Sequence, residues 1–111
     1  PHKIIGISGT FAEFEDPPFI FIMDYTNMVN VYLPDNLKEF GLTAGQFADR
    51  LQVNAGLQVV GYERVKMLRR SQSDFKLEPV VFFTVKQDGK HTPECIFALF
   101  QQELLKLYQQ C

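Results

Sequence analysis

The chain has 111 residues, of which 46% are hydrophobic and 22% charged, and its formal net charge at pH 7 is −2. This size is that of one domain, and the composition excludes an intrinsically disordered polypeptide. The apolar runs fall far short of the roughly 20 residues of a membrane span, so we expect one domain over residues 1–111 with no membrane segment.

Three strands are expected in the first third of the chain. Residues 3–11 are rich in β-branched side chains and punctuated by two glycines, which predicts a strongly bent first strand. Residues 19–24 form a second apolar stretch that ends in turn-forming residues. Val29, Val31 and Leu33 then alternate with polar side chains. This period of two predicts a third strand and completes a meander.

A short helix and a long fourth strand follow. Thr43 and Gln46 have the spacing of a capping box, which predicts a helix over about residues 43–51. The fourth strand is expected over residues 57–67, with a bulge near Gly61 that absorbs an interruption of its apolar face. The side chains expected on its outward face are those of Gln58, Tyr62, Arg64 and Lys66.

A loop, a fifth strand and a second helix complete the chain. We expect the loop at residues 69–74 and the strand at residues 75–85, where apolar side chains again alternate. Thr92 and Pro93 are typical of the first residues of a helix, because the hydroxyl can cap it and proline loses no hydrogen bond there. The C-terminal helix is expected over about residues 92–110.

Apolar side chains cover more of this C-terminal helix than packing on one surface requires. Excess apolar surface usually marks an interface, which favours contact with another subunit. The candidate partner-binding residues are Ile96, Phe97, Phe100, Leu104, Leu105, Leu107 and Tyr108. Those expected to face the partner are Phe97, Leu104, Leu105 and Tyr108, and the others are expected to be shared with the core. The alternative is that the whole helix packs on its own domain.

The order of elements favours one fold. Three strands, a helix, two strands and a C-terminal helix follow each other as in the five-stranded oligonucleotide- and oligosaccharide-binding (OB) barrel. We therefore expect an all-β fold with flanking helices: a closed barrel over about residues 3–87, with its short helix between strands three and four. A ubiquitin-like or other α+β meander is the structural alternative.

Three segments resemble the core pattern of the small OB subunits of the replication protein A and telomeric CST complexes. They are residues 3–7, 21–31 and 57–61. The best match is an aspartate-x-threonine motif at Asp24 and Thr26, followed by Asn27 where glycine is usual. OB subunits of editing and recombination complexes remain alternatives.

The resemblance implies a function in telomere maintenance or DNA replication. It implies a noncatalytic accessory subunit of a nuclear complex, joined as a heterodimer to another OB-fold subunit through its C-terminal helix. Single-stranded nucleic acid would then be bound directly or through the complex.

Basic and aromatic residues in the second half favour contact with a single strand. Residues 1–63 carry three basic and eight acidic side chains, whereas residues 64–111 carry eight basic and five acidic ones. Such sites stack bases on aromatic rings and hold phosphates with cations. The candidate nucleic-acid-binding residues are Tyr32, Tyr62, Arg64, Lys66, Arg69 and Arg70. Because the first half is acidic, tight binding by the isolated chain is disfavoured, and an autonomous weak single-strand-binding module is the alternative function.

The sequence contains no recognisable catalytic or metal-binding pattern. His2 and His91 are far apart along the chain, so we expect no enzyme activity, no cofactor and no metal. Cys95 and Cys111 would lie about 24 Å apart on one helix, too far for a disulfide. This favours a reducing, intracellular compartment.

Overall fold

The computed structural model describes residues 3–6, 21–25, 27–35, 37–71 and 74–109. The strands are β1 (Lys3–Gly6), β2 (Phe21–Tyr25), β3 (Met28–Pro34), β4 (Gln58–Ser71) and β5 (Asp74–Lys86). A 3-10 turn at Leu37–Phe40 and helix α1 (Ala44–Ala55) lie between β3 and β4, and helix α2 (Pro93–Gln109) follows β5. Of the bent first strand expected over residues 3–11, residues 7–11 lie outside the described residues.

The five strands form one antiparallel sheet in the order β1-β2-β3-β5-β4. The main body consists of β3, β5 and β4, and the short strands β1 and β2 extend it at one edge. Within the described residues β1 pairs only with β2 and β4 only with β5, so the two edges do not meet. The sheet is open, and the expected closed five-stranded OB barrel is wrong.

The core forms between the sheet and the helices. Alternate residues of β3 and β5 are fully buried on the face that α1 and α2 cover. The buried strand residues of this face are Val29, Val31, Leu33, Val81, Phe83 and Val85. Barrel closure needs tilted strands that pair all the way round, and among the described residues β1 and β4 are not paired with each other. The result is a two-layer α+β architecture instead of an all-β one.

The capping box predicted at the start of α1 is confirmed. Thr43 Oγ1 accepts a hydrogen bond from the backbone N–H of Gln46 at 3.1 Å, and Gln46 Oε1 accepts one from the backbone N–H of Thr43 at 2.8 Å. The helix continues to Ala55, past the predicted end, and stops at Gly56, whose φ of 69° glycine adopts without steric cost.

The turn between β2 and β3 contains the motif that carries the family resemblance. Tyr25 pairs with Met28, and Asn27 between them has a φ of 67°. Asparagine and glycine accept this left-handed conformation more readily than other residues do. Asparagine can therefore stand at a turn position where glycine is usual.

Three phenylalanines join the two layers. The rings of Phe47 from α1 and Phe100 from α2 each lie 5.7 Å from the ring of Phe83 in β5 and 6.1 Å from each other, centroid to centroid. All three side chains are fully buried. Tilted and edge-on ring pairs of this kind stabilise a core beyond the area they bury.

Glu103 of α2 is the buried carboxylate that ties the helices together. It is only 2% exposed, and it accepts hydrogen bonds from Arg50 Nε at 3.2 Å, Asn54 Nδ2 at 3.3 Å and Lys106 Nζ at 2.9 Å. Burial raises the pKa of Glu103, but the hydrogen bonds from Lys106 and Asn54 and the charges of Lys106 and Arg50 together lower it below its ordinary value.

We expect E103Q to destabilise the fold in a pH-dependent way. Because the folded-state pKa lies below the ordinary value of 4.5, the carboxylate stabilises the fold fully above that value and loses its effect as the pH falls through the folded-state pKa. At pH 7 the variant should lose about 1–2 kcal/mol of unfolding free energy. Urea denaturation from neutral to acidic pH measures this difference, which should shrink as the pH falls.

E39Q is the matched control, because Glu39 is exposed on the 3-10 turn. If E103Q and E39Q have the same stability at every pH, the proposed role of Glu103 is wrong.

Candidate functional site

β4 and β5 continue past the end of β3. β3 pairs with β5 only at residues 80–86, whereas β4 follows β5 to the pair Ser71 and Asp74. Residues 66–71 and 74–79 therefore form a two-stranded ladder, the ribbon, which no third described strand joins. The expected loop at residues 69–74 is wrong, because most of that segment belongs to the ladder.

A bulge in β4 decides which of its side chains face the helices. Val59 and Gly61 pair with consecutive residues of β5, so Val60 is an extra residue, and the bulge predicted near Gly61 is confirmed. Beyond it Tyr62 pairs with Phe83, whose side chain is in the core. The expectation that Tyr62 and the alternate residues after it face away from the core side is therefore wrong, since paired residues share a face.

Tyr62 lies against the core and the start of α1. Its ring centroid is 5.9 Å from that of Phe83, and its hydroxyl would lie 2.8 Å from a Cβ added at Gly45. The side chain is still 49% exposed and lines an open groove of about 430 Å³ between α1 and β4. Glycine at position 45 leaves room for the tyrosine hydroxyl.

Tyr32 lies on the opposite face of the sheet. It pairs with Phe82, and the two rings are 5.1 Å apart, centroid to centroid. Tyr32 and Tyr62 therefore cannot stack on neighbouring bases of one strand, and the structure does not bring them together as one site.

Arg64 is held by a carboxylate. Its Nε lies 2.9 Å from Oδ2 of Asp35, whose side chain is only 10% exposed. Among the described residues no donor reaches the buried Oδ1 of Asp35. The ion pair therefore compensates a nearly buried charge at the base of the ribbon.

Exposed apolar side chains occupy the ribbon on the same side as Tyr62 and Arg64. Leu68 and Leu77 are direct cross-strand partners and are 60% and 64% exposed, and Phe75, two residues before Leu77, is 65% exposed. The ladder pairs the exposed residues Lys66 and Pro79 on the same side. We refer to these five residues as the ribbon face.

The charge of this side of the ribbon is of one sign. By register, it includes two basic positions, at Lys66 and Arg70, and no acidic one. Arg64, just before the ribbon on the same side, is already paired with Asp35. The two acidic residues of the ribbon, Asp74 and Glu78, are at register positions of the opposite side, together with Arg69 and Lys76. Arg69 and Arg70 belong to the ladder, but their side chains lie outside the described part of the structure.

The apolar stripe of α2 is used inside the chain. Four candidate partner-binding residues are 0–3% exposed and belong to the core: Ile96, Phe100, Leu104 and Leu107. The expectation that Leu104 faces a partner is therefore wrong in this structure. The other three were expected to divide their contacts between the core and a partner, but the core buries them almost completely. Phe97 and Leu105 are half-buried, and the side chain of Tyr108 is not among those described.

Other binding features are few in the part of the chain that the structure describes. It contains no group of three His, Cys, Asp or Glu residues that could hold a metal ion. No helix there is long and apolar enough to cross a membrane.

The chain matches no family model, no curated protein and no solved structure.

The exposure of Leu68, Phe75 and Leu77 was not predicted from the sequence. Apolar alternation assigned Phe75 and Leu77 to the fifth strand, but it does not show where the covering helices end. Two signals pointed to exposure. The alternation spans more residues than the five or six of an ordinary strand, and Pro79 interrupts it, although proline is largely confined to sheet edges.

Removing the Arg64 side chain should lower the unfolding free energy, because the nearly buried Asp35 carboxylate would then have no ionic partner. We expect R64A to lose about 1–3 kcal/mol of unfolding free energy, because a nearly buried charge is left without its partner. Adding D35N should recover part of that loss, because an uncharged amide is cheaper to bury. Urea denaturation of the two single variants and the double variant gives the coupling.

K66A is the control, since Lys66 is exposed two residues further along the same strand and should change stability by less than about 0.5 kcal/mol. An R64A loss no larger than that of K66A would contradict the role of the ion pair.

Proposed function

We propose that this chain is a noncatalytic accessory subunit of a multi-subunit complex acting on single-stranded nucleic acid, and that a partner protein covers its ribbon face. The observation that carries the proposal is the cluster of exposed Leu68, Phe75 and Leu77 on strands that project past the core. The nucleic-acid part rests on the resemblance of residues 3–7, 21–31 and 57–61 to replication protein A and telomeric CST subunits, together with the basic residues of β4.

Physical chemistry favours a covered ribbon. A two-stranded ladder is marginally stable in water, and a cluster of large exposed apolar side chains usually marks an interaction surface. Leu68 and Leu77 offer aliphatic surface, which packs well in a protein interface but gives no ring on which a base could stack. Their exposure therefore supports a partner protein.

The C-terminal helix has a smaller part in this proposal than the sequence suggested. Its main apolar stripe packs on its own core, which leaves the half-buried Phe97 and Leu105 as additional contacts. A partner that covers the ribbon need not displace any core residue.

Autonomous weak binding of single-stranded DNA or RNA is the second candidate function. The exposed Lys66 and the basic positions at Arg69 and Arg70 on the same strand favour it. Arg64, already paired with Asp35, and Tyr32, on the other face, contribute less than the sequence suggested.

Charge placed in the apolar cluster should release the partner. We expect the tagged wild-type chain to purify from its native cells with a stoichiometric partner, and L68E/L77E to lose that partner because buried carboxylates would be unpaired. V53E is the control, because Val53 is 82% exposed on α1. Thermal melts should show all three chains folded, as expected for exposed positions.

The recovered complex is then titrated with a fluorescent single-stranded oligonucleotide. Binding by the wild-type complex supports the proposed function. The proposal is wrong if the wild-type chain is strictly monomeric in its native extract, or if the complex has no affinity for a single strand.

Titration of the isolated chain with the same oligonucleotide tests the second candidate. We expect affinity weaker than micromolar at low salt. If the isolated chain instead binds at micromolar or tighter affinity, loses it in R69E/R70E and with added salt, and keeps it in K38E/K86E, autonomous binding replaces our proposal. Lys38 and Lys86 are exposed lysines outside the ribbon, so that control makes the same change in net charge.

A further inference from the structure

We infer that the ribbon face binds an acidic segment of the partner protein in which carboxylates alternate with apolar side chains. This inference rests on the proposed function, because it names the chemistry of the partner that the complex would supply. It is carried by the placement of charge around the apolar cluster.

Charge complementarity selects an acidic occupant. The side of the ribbon that carries Leu68 and Leu77 has two basic register positions, Lys66 and Arg70, and no acidic one, whereas the two acidic residues of the ribbon are at register positions of the other side. The whole chain nevertheless has a net charge of −2. A basic and apolar patch on an acidic protein favours a partner of opposite charge and disfavours a basic one.

The spacing along β4 matches an extended segment. Lys66 and Leu68 are two residues apart, which is about 7 Å along a strand, the distance between alternate side chains of another strand. Within the described residues no strand pairs with the outer edge of β4, and an edge of this kind is a template for an added strand. An extended partner segment could therefore pair with β4 while its side chains meet the ribbon face.

Two other occupants fit less well. In a two-fold contact between copies of this chain, ribbon face would meet ribbon face and basic residues would oppose each other. For a single strand, the aromatic residues on this side, Tyr62 and Phe75, lie at opposite ends of the segment. Phe75 pairs with Arg70, eight residues and about 27 Å along β4 from Tyr62, and aliphatic side chains lie between.

Photo-crosslinking in the native cells tests the inference on the full chain. Benzoylphenylalanine is placed at position 77 or 68, and at position 53 as a control for exposed apolar sites, and the crosslinked peptide is sequenced by mass spectrometry. We expect positions 77 and 68, but not 53, to crosslink to one partner segment with net negative charge and interleaved apolar residues.

A synthetic peptide of the crosslinked segment is then titrated by fluorescence anisotropy. We expect K66E to weaken its binding by about fivefold or more and K66R to stay within about twofold of the wild-type affinity. Replacing the peptide's carboxylates with amides should weaken binding to the wild-type chain in the same way.

The inference is overturned if positions 77 and 68 crosslink to nucleic acid, to another copy of this chain or to a segment without net negative charge. It is also overturned if they crosslink no more than position 53, or if K66E leaves the peptide affinity unchanged. Loss of the partner in L68E/L77E together with a non-acidic crosslinked segment would overturn this inference alone. A strictly monomeric chain would overturn the proposed function itself.

Discussion

The packing of Phe83 against Phe47 and Phe100 is the contact on which the rest of the structure depends. It joins β5 to both helices, and it determines which face of the sheet becomes the core. Tyr62 packs on the same phenylalanine from β4, so the orientation of the long hairpin is set by the core as well. Because side chains alternate along a strand, this packing also determines which residues of β4 and β5 lie on the core side of the sheet. The exposed leucines of the ribbon are thus on the core side of the sheet, at a point beyond the cover of the helices.

The ion pair between Arg64 and Asp35 lies close to the border of that cover. On one side of it Val81 and Phe83 are fully buried, and on the other Leu77 is mostly exposed. The same face of one strand therefore changes from core to surface within a few residues. A nearly buried carboxylate held by a half-exposed guanidinium suits such a border, because the arginine stem can lie on apolar surface while its head stays partly in water. The proposed binding surface therefore lies next to residues that stabilise the fold without sharing them.

Local patterns predicted local structure well, and their limits have physical causes. The capping box at Thr43, the alternation in β3 and the bulge near Gly61 were all readable, because each depends on neighbours in the chain. Barrel closure was not, because it depends on whether two distant edges pair, and no local pattern contains that information. The consequence of the bulge was also missed. A single extra residue at Val60 reverses the faces of everything after it, so Tyr62 and Arg64 were assigned to the wrong side. Leu104 was misplaced because an amphipathic stripe does not identify which surface it meets.

The two-stranded character of the ribbon also affects how it opens. In residues 66–71 and 74–78 only the amide hydrogens that face the partner strand are bonded in the ladder, no third described strand joins it, and none of the described side chains there is fully buried. Such segments open without unfolding the whole domain, so their amides should exchange with solvent faster than those of β3 or of β5 near Phe83. A partner that binds there must bear the entropic cost of ordering the ribbon, which lowers the affinity below what its contact area alone would suggest. A partner contact of the proposed kind would accordingly suit reversible assembly.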